Sequence, residues 1–361
     1  MRTLLNTVGT SILNHWKQEY PELSEQSQRR IAARISELPA EDRRLGAELN
    51  SIHSIAQQKE IAPGDRVYFL VSDTREGRFV GRLLNDVVSG WGYRTTEPEV
   101  VKSLQGDDPR AFEQGLRNLV RKIAGLYRAR RNEGEEVLLN ATGGYKAQIS
   151  FAGLIGQVFG IPVFYQFEDF PRAIKLPPLP VSFDLNDWLA YRHVFDALEG
   201  GDGGEPLRVN DSRLKELPEK LRVLLDPSQG FVTLNALGEL YHQGFKDSFV
   251  RAKAFLLPRD SGTAPEHKKI QHEDKNYGKH PGLQTHLERI RRKSYVTRIQ
   301  TIRYVAEKPT GARFRADPAS PDRLKGTFWD GTVTVEFLVY LSEEDLRKAQ
   351  AAAADLMEEM T

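Results

Sequence analysis

Seven consecutive residues, Asn140-Ala141-Thr142-Gly143-Gly144-Tyr145-Lys146, bring together a hydroxyl, two glycines and a cation between two apolar runs. Val137-Leu138-Leu139 before them reads as a buried strand, and Tyr145 to Phe159 after them has helical spacing and stops at Gly160. A strand, tight turn and helix in this order place unpaired N–H groups and the positive end of the helix dipole at the turn, and glycines let a ligand approach the main chain. With Thr142 and Lys146 added, the turn is suited to hold an anion, a phosphate above all. The spacing is neither G-x-x-x-x-G-K-[ST] nor G-x-G-x-x-G, so ATP and dinucleotide readings are not favoured, and a bare Gly-Gly before a helix is most often only a turn. Two further polar turns follow apolar runs: Gly9-Thr10-Ser11 after Thr3 to Val8, and Ser72-Asp73-Thr74 after Val67 to Val71.

The elements needed to position these turns are spelled out by the chain. Helical patterns at Ser24 to Leu38, Ala40 to Gln58, Phe79 to Val88 and Asp108 to Arg131 alternate with short apolar runs, ending in Ile161 to Phe167 and a closing strand at Ala173 to Leu176. Such alternation implies an α/β fold with a parallel, doubly wound, Rossmann-like sheet, in which ligands sit beyond the carboxyl ends of the strands. The three turns then belong to one pocket. The helix Tyr145 to Phe159 is apolar on nearly every side and is expected to be buried.

Pro171, Pro177, Pro178 and Pro180 mark the edge of this first domain, and Gly200-Gly201-Asp202-Gly203-Gly204 reads as a flexible linker. Asp211 to Leu225, Phe231 to Leu234 and Ala236 to Phe249 suggest a small winged helix-turn-helix-like connector. The remainder, with strands at Tyr295 to Val305 and Val333 to Tyr340 and a helix from Ser342, reads as an α+β module. The expected domains are therefore 1–183, 184–264 and 265–361.

With 361 residues, 39% hydrophobic and 28% charged, the chain is of globular composition and long enough for two or three cores. No apolar run reaches the roughly 18 residues that span a bilayer, and Met1-Arg2-Thr3 leads straight into Leu4-Leu5, so neither a membrane span nor a signal peptide is expected. The absence of cysteine excludes disulfides, thiolate metal sites and a cysteine nucleophile, and fits a cytoplasmic location. A net charge of +1 conceals an asymmetry: Glu266 to Asp330 carries 15 Lys and Arg against 8 Asp and Glu, whereas Gly331 to Thr361 carries 2 against 7. The basic block is either a solvated charged face or an RNA-binding surface.

The three N-terminal turns, together with Ala47-Glu48-Leu49-Asn50-Ser51 and Glu76-Gly77, resemble the CRISPR-associated Rossmann-fold sensor (CARF) domains. The resemblance spans about half the chain. It implies that the ligand is a cyclic oligoadenylate, most often the tetra-adenylate made by type III CRISPR complexes, bound across the two-fold axis of a homodimer. It also implies that Gly9, Thr10, Ser11, Asn140, Thr142, Gly143, Gly144 and Lys146 surround the ribose-phosphate ring, while Ser72, Asp73 and Thr74 position the adenines. In some members the equivalents of Ser11 and Lys146 cut the ring slowly, without metal.

The effectors usual for such sensors leave no trace: Arg259 and His267 are too far apart for an Arg-x4-6-His motif, and Glu336 lacks the E-x-K partner of a restriction-like nuclease. The C-terminal module is instead similar to the RelE family of ribosome-dependent mRNA interferases, through His280-Pro281-Gly282-Leu283 with Leu287, the strand Tyr295 to Tyr304 and the strand Val333 to Tyr340. Pro309 to Asp330 stands out as an insertion in that pattern, and the acidic terminal helix departs from it. The family resemblance implies attack of an mRNA 2′-hydroxyl on its neighbouring phosphate in the ribosomal A site. Such a reaction uses cations, proton transfer and base stacking, with no metal or other cofactor. Lys275, Lys279, Arg298 and Arg303 are the candidate cations, His280 the candidate acid-base group with His272 second, and Tyr304 the candidate stacking residue. His286, between Leu283 and Leu287, reads as structural. The expected protein is thus a homodimeric endoribonuclease switched on by cyclic tetra-adenylate, with the ribosome and A-site mRNA as partners and no membrane. The alternatives are a ligand-controlled DNA-binding regulator and a ribonuclease acting on free RNA.

Overall fold

A computed structural model of the chain describes residues 1–40, 42–167, 170–180, 184–199, 207–273, 279–306, 308 and 313–360. It divides into two compact units, Met1–Ser182 with Asn235–Gly244, and Phe183–Leu234 with Phe245–Thr361.

The first unit is the mixed α/β layer structure implied by the alternation of strands and helices. Its strands are β1 (Arg2–Thr7), β2 (Arg66–Ser72), β3 (Arg94–Thr95), β4 (Glu99–Val101), β5 (Glu136–Asn140), β6 (Val163–Tyr165) and β7 (Ile174–Leu176). They form one sheet in the order β3-β2-β1-β5-β6-β7, with β4 continuing the β2 edge beyond β3. All pairs are parallel except β6 with β7. The helices are α1 (Leu13–Trp16), α2 (Glu25–Ser36), α3 (Gly46–Gln57), α4 (Arg75–Gly90), α5 (Pro109–Asn132) and α6 (Lys146–Phe159). Residues of α2, α3 and α4 form one core with alternate side chains of β1 and β2, while α5 and α6 close a second core on the other face. Leu4 and Leu5, adjacent on β1 and fully buried, point into these two different cores, as the twofold period of a strand requires. Each contributes roughly 1.5–3 kcal/mol by burial.

Local chemistry accounts for where the helices begin. Thr74 caps α4 by accepting the N–H of Gly77 at 3.0 Å, Asp108 caps α5 ahead of Pro109, and Ser24 caps α2. Helix α6 differs from expectation. Its buried stripe is Gln148, Ala152, Ile155, Gly156 and Phe159, whereas Leu154 is 45% exposed. An outer helix covers a sheet with one stripe, so Leu154 faces outward while Ile149, Phe151 and Val158 are partly buried at its edges.

The second unit begins with α7 (Asn186–Glu199), β8 (Leu207–Arg208), α8 (Ser212–Glu216), α9 (Glu219–Arg222), β9 (Leu225–Ser228) and β10 (Phe231–Leu234), followed by α10 (Ala236–Leu256), whose residues up to Gly244 belong to the first unit. The helix expected over Asp211 to Leu225 is broken at Pro218, and the three strands pair in the order β8-β10-β9. The glycine-rich 200–204 segment lies outside the described residues. A five-stranded sheet follows, ordered β11-β12-β15-β14-β13, from β11 (Lys269–His272), β12 (Val296–Val305), β13 (Phe314–Asp317), β14 (Ser320–Trp329) and β15 (Thr334–Leu341). Helices α11 (Leu283–Arg291) and α12 (Leu346–Met360) share one core with its inward side chains. The stretch from Pro309 to Asp330, which stands out as an insertion in sequence, therefore supplies two of the five strands. Buried Arg192 of α7 bonds to the Ala354 carbonyl (3.3 Å) and Glu358 (3.0 Å) of α12, with its guanidinium 4.8 Å from the Trp188 ring.

Candidate functional site

Within the first unit, the strand order reverses between β1 and β5, whose carboxyl ends are where a crevice opens in a parallel sheet. Thr7, the last residue of β1, donates its hydroxyl to the Gly143 carbonyl at 2.5 Å. Asn140, the last of β5, is 1% exposed and fully used: its amide donates to Asn6 Oδ1 (2.9 Å) and Ser51 Oγ (2.8 Å), and its oxygen accepts the Thr142 hydroxyl (2.7 Å). Thr142 Oγ1 in turn accepts the Gln166 N–H at 3.1 Å. A buried polar lattice therefore fixes the Thr142 turn from below.

The two loops interlock through glycine. Gly144 has φ of +109°, a conformation that other residues rarely adopt, and a Cβ on Gly9 would lie 3.0 Å from the Gly144 nitrogen. Beneath both is Glu48 of α3, fully buried, whose Oε1 accepts the Gly9 N–H at 2.7 Å and whose Oε2 has no partner among the described residues. Burial raises the pKa of this carboxyl, with the Gly9 N–H opposing the shift. Above the loops lies a cavity of about 590 Å³, lined by Gly9, Thr10, Ser11, Ser72, Thr142, Gly143 and Gly144 together with the rings of Tyr145, Tyr165 and Phe167.

Seven of the sequence-derived ligand residues thus share one wall. Four do not. Asn140 supports the turn from inside the core. Asp73 is occupied by Arg78 (2.6 Å) and the Ser103 N–H (3.2 Å), and Thr74 by its cap and the Ser72 hydroxyl (2.9 Å). Lys146 is exposed on the first turn of α6, off the cavity wall, and its side chain has no bonded partner among the described residues. Glu48 and the three rings escaped the sequence reading as individual site residues. The available signals were a carboxylate on the apolar face shared with Leu45 and Ile52, and the aromatic run following Ile161.

In the second unit the expected catalytic set is divided by the sheet. On β15, Val335, Phe337, Val339 and Leu341 point into the core, so Glu336 and Tyr340 face the opposite side. Arg298 pairs in register with Tyr340 and lies 3.8 Å over its ring, and Arg303 bonds Glu336 at 2.9 Å, with Lys325 at 3.2 Å from the same carboxylate. Burial opposes ionisation of Glu336, but Arg303 and Lys325 carry its pKa below the ordinary value. Tyr304 is instead in register with Val335, and His280 lies beside it with 5.6 Å between ring centres. The cause is the bulge between Thr301 and Arg303, which resets the alternation of β12. The set inferred from sequence is therefore divided between two faces: the arginines lie opposite α11 and α12, and the histidine and tyrosine lie on the other side. Lys279 is exposed next to His280, and Lys275 lies outside the described residues.

His280 Nδ1 is 2.8 Å from Asp330 Oδ2. The other oxygen of Asp330 accepts the N–H groups of Val333 (2.7 Å) and Thr332 (2.8 Å) and the Thr332 hydroxyl (2.9 Å). These bonds, that of Val333 foremost, hold the carboxyl well below the usual carboxylate range. His280 and His272 border a cavity of about 870 Å³ between β11 and α11, with Gln284, Glu288 and Arg291 on its other wall. Burial lowers the pKa of His272. His286 stands against Phe314, Phe328 and Phe337, and burial with the nearby Arg313 and Arg289 depresses its pKa to about 4.

This architecture defines a mixed α/β protein with a Rossmann-like parallel sheet and an additional α+β module. Residues 43–179 match the model of a family described as CRISPR-associated protein (Cas_APE2256), a span that includes the 72–74 and 140–146 turns. Among solved structures, the chain is similar to Can2 from Sulfobacillus thermosulfidooxidans, determined in complex with cyclic tetra-adenylate. Identity is 14% and the TM-score 0.27, over 71% of this chain and 67% of that one. It is also similar to protein VC1899 from Vibrio cholerae, at 10% identity and TM-score 0.25, over 94% and 77% respectively. No helix among the described residues is long and apolar enough to cross a membrane.

Proposed function

We propose that the first unit senses a cyclic oligoadenylate, cyclic tetra-adenylate in particular, and thereby controls a metal-independent endoribonuclease in the second unit, acting on ribosome-bound mRNA in type III CRISPR defence. The observation that carries the sensor reading is the cavity at the strand reversal, whose wall from Ser72, Thr142 to Tyr145 and Tyr165 to Phe167 lies within the residues that match a CRISPR-associated family. Its main-chain N–H groups and the hydroxyls of Thr10 and Ser11 suit a ribose-phosphate backbone, and Tyr145, Tyr165 and Phe167 offer faces for bases. Lys146, exposed and next in sequence to Tyr145, adds a cation. A cavity of about 590 Å³ suits a drug-sized ligand and is small for a four-nucleotide ring, which fits a ring shared by two copies across a two-fold axis.

For the ribonuclease, His280 is the group for proton transfer. The opposite sheet face, with Arg298, Arg303, Lys325 and Tyr340, is suited to hold RNA away from the scissile phosphate through phosphate contacts and stacking. The ligand acts by favouring the arrangement of a homodimer in which the second unit can engage its substrate. The test is incubation of the protein with translating ribosomes, free RNA and promoter DNA, each with and without cyclic tetra-adenylate. Cleavage of ribosome-bound mRNA only with the ring is expected. Ring-dependent retention of DNA without any cleavage would refute the reading, and equal cleavage of free RNA would remove the ribosome from it.

A further inference from the structure

We infer that Asp330 is a positioning residue that fixes His280 in the tautomer with Nε2 free to accept a proton. This deepens the ribonuclease reading and rests on it. Asp330 sits in the tight turn between β14 and β15, where Gly331 takes φ of +104°. Its Oδ1 is tied to two main-chain N–H groups and one hydroxyl, so the carboxylate cannot swing away, and Oδ2 is left aimed at His280 Nδ1. An ionised carboxylate only accepts, so Nδ1 must carry the hydrogen, and in the neutral ring the lone pair falls on Nε2. No hydrogen-bond partner of Nε2 is present among the described residues, and His280 borders the 870 Å³ cavity with the Tyr304 ring beside it.

The chemistry balances without further reagents than water. Nε2 takes the proton of the attacking 2′-hydroxyl, the 2′-oxygen–phosphorus bond forms, the phosphorus–5′-oxygen bond breaks, and the departing oxygen takes a proton from solvent. The imidazolium so formed is paired with Asp330 throughout the step and afterwards returns its proton to water. The arginines of the opposite sheet face have no part in this proton transfer.

Asp330→Asn separates positioning from folding. The amide oxygen can keep the Thr332 and Val333 bonds that close the turn, while its NH2 replaces the acceptor that faced Nδ1. The asparagine would then donate to Nδ1, moving the ring hydrogen to Nε2, which becomes a donor and loses its capacity as base. The expected result for the full chain with ribosomes and cyclic tetra-adenylate is a fall in kcat of about 100-fold or more with KM unchanged. Nitrogen NMR of histidine-labelled protein should show neutral His280 protonated at Nδ1 in the parent and at Nε2 in Asp330→Asn. Thr332→Val removes one bond to the same carboxylate without touching His280, and should loosen the turn while leaving the tautomer and kcat within about twofold.

Unchanged kcat in Asp330→Asn, or a parent His280 protonated at Nε2, would overturn the inference. Equal loss of kcat in Thr332→Val would also overturn it, by reducing Asp330 to a turn residue. If the parent cleaves no RNA in any arm while the NMR shows the expected tautomers, the ribonuclease reading fails and the side-chain pairing stands without a role in RNA cleavage.

Discussion

Gly143→Ala should uncouple the two loops of the N-terminal cavity. A Cβ at Gly143 would overlap Glu48 Oε1 and lie 2.6 Å from its Cδ and 2.8 Å from its Cγ. Glu48 is fully buried and held by the Gly9 N–H, so it can move only by giving up that bond. Losing a hydrogen bond to a buried carboxyl costs about 1.5–3 kcal/mol, and overpacking adds about 1–3 kcal/mol. A local loss of about 3 kcal/mol is therefore expected. In a Glu48→Ala background the obstructing atoms are gone, and Gly143→Ala should cost less than about 1 kcal/mol, a coupling of roughly 2 kcal/mol. Because the chain has two compact units, the quantity to measure is the amide-exchange free energy of β1 and β5 in the four proteins, not one global unfolding transition. Equal costs of Gly143→Ala in both backgrounds would refute the interlock. Glu48→Gln supplies the electrostatic control. Burial raises the folded-state pKa, so the stability contributed by the neutral carboxyl is present below the ordinary value of 4.5 and lost as pH rises through the raised pKa. The glutamine variant should therefore gain on the parent at neutral pH and lose that advantage near pH 4.

Two other predictions concern residues outside this contact. With its folded pKa at about 4 against 6.5, His286 makes the unfolded chain bind a proton that the folded chain refuses, so stability should fall as pH drops from about 6.5 to about 4. The loss is up to about 3 kcal/mol, and His286→Phe, placed among Phe314, Phe328 and Phe337, should abolish that slope in the exchange of β15 amides. A slope unchanged in the variant would assign it to another group. Lys146→Ala, at an exposed helix start, should leave thermal stability within about 0.5 kcal/mol and weaken cyclic tetra-adenylate binding roughly tenfold by calorimetry; undiminished affinity would remove Lys146 from the site.

Much of the N-terminal unit was readable because its signals are local. Apolar runs of strand length, the polar turns that end them and the stop at Gly160 each depend on a few neighbouring residues, and together they imply the parallel sheet. The glycines and hydroxyls at 9–11 and 142–144 were legible for the same reason, since a turn between strand and helix constrains its own residue types. The face of the C-terminal sheet opposite α11 and α12 was not. One bulge at Ile302 decides which side of β12 each later residue occupies, and nothing in the local pattern marks where such a bulge falls. Likewise β13 and β14 gain their apolar partners only by pairing with each other and β15, so their stretch of sequence lacked a clear strand period.

The sequence alone determined that a phosphate-friendly turn begins at Asn140, because residue type and order decide backbone freedom and hydrogen-bonding capacity there. Only the tertiary structure decided what surrounds it. Glu48 comes from α3 and Thr7 from β1, and they meet at Gly143, while Phe167 from beyond β6 lines the same cavity, all through sheet order, a property of contacts distant in the chain. His280 and Asp330, 50 positions apart, follow the same rule: each residue type is visible in sequence, but their pairing depends on how the α11 entrance and the turn before β15 are packed.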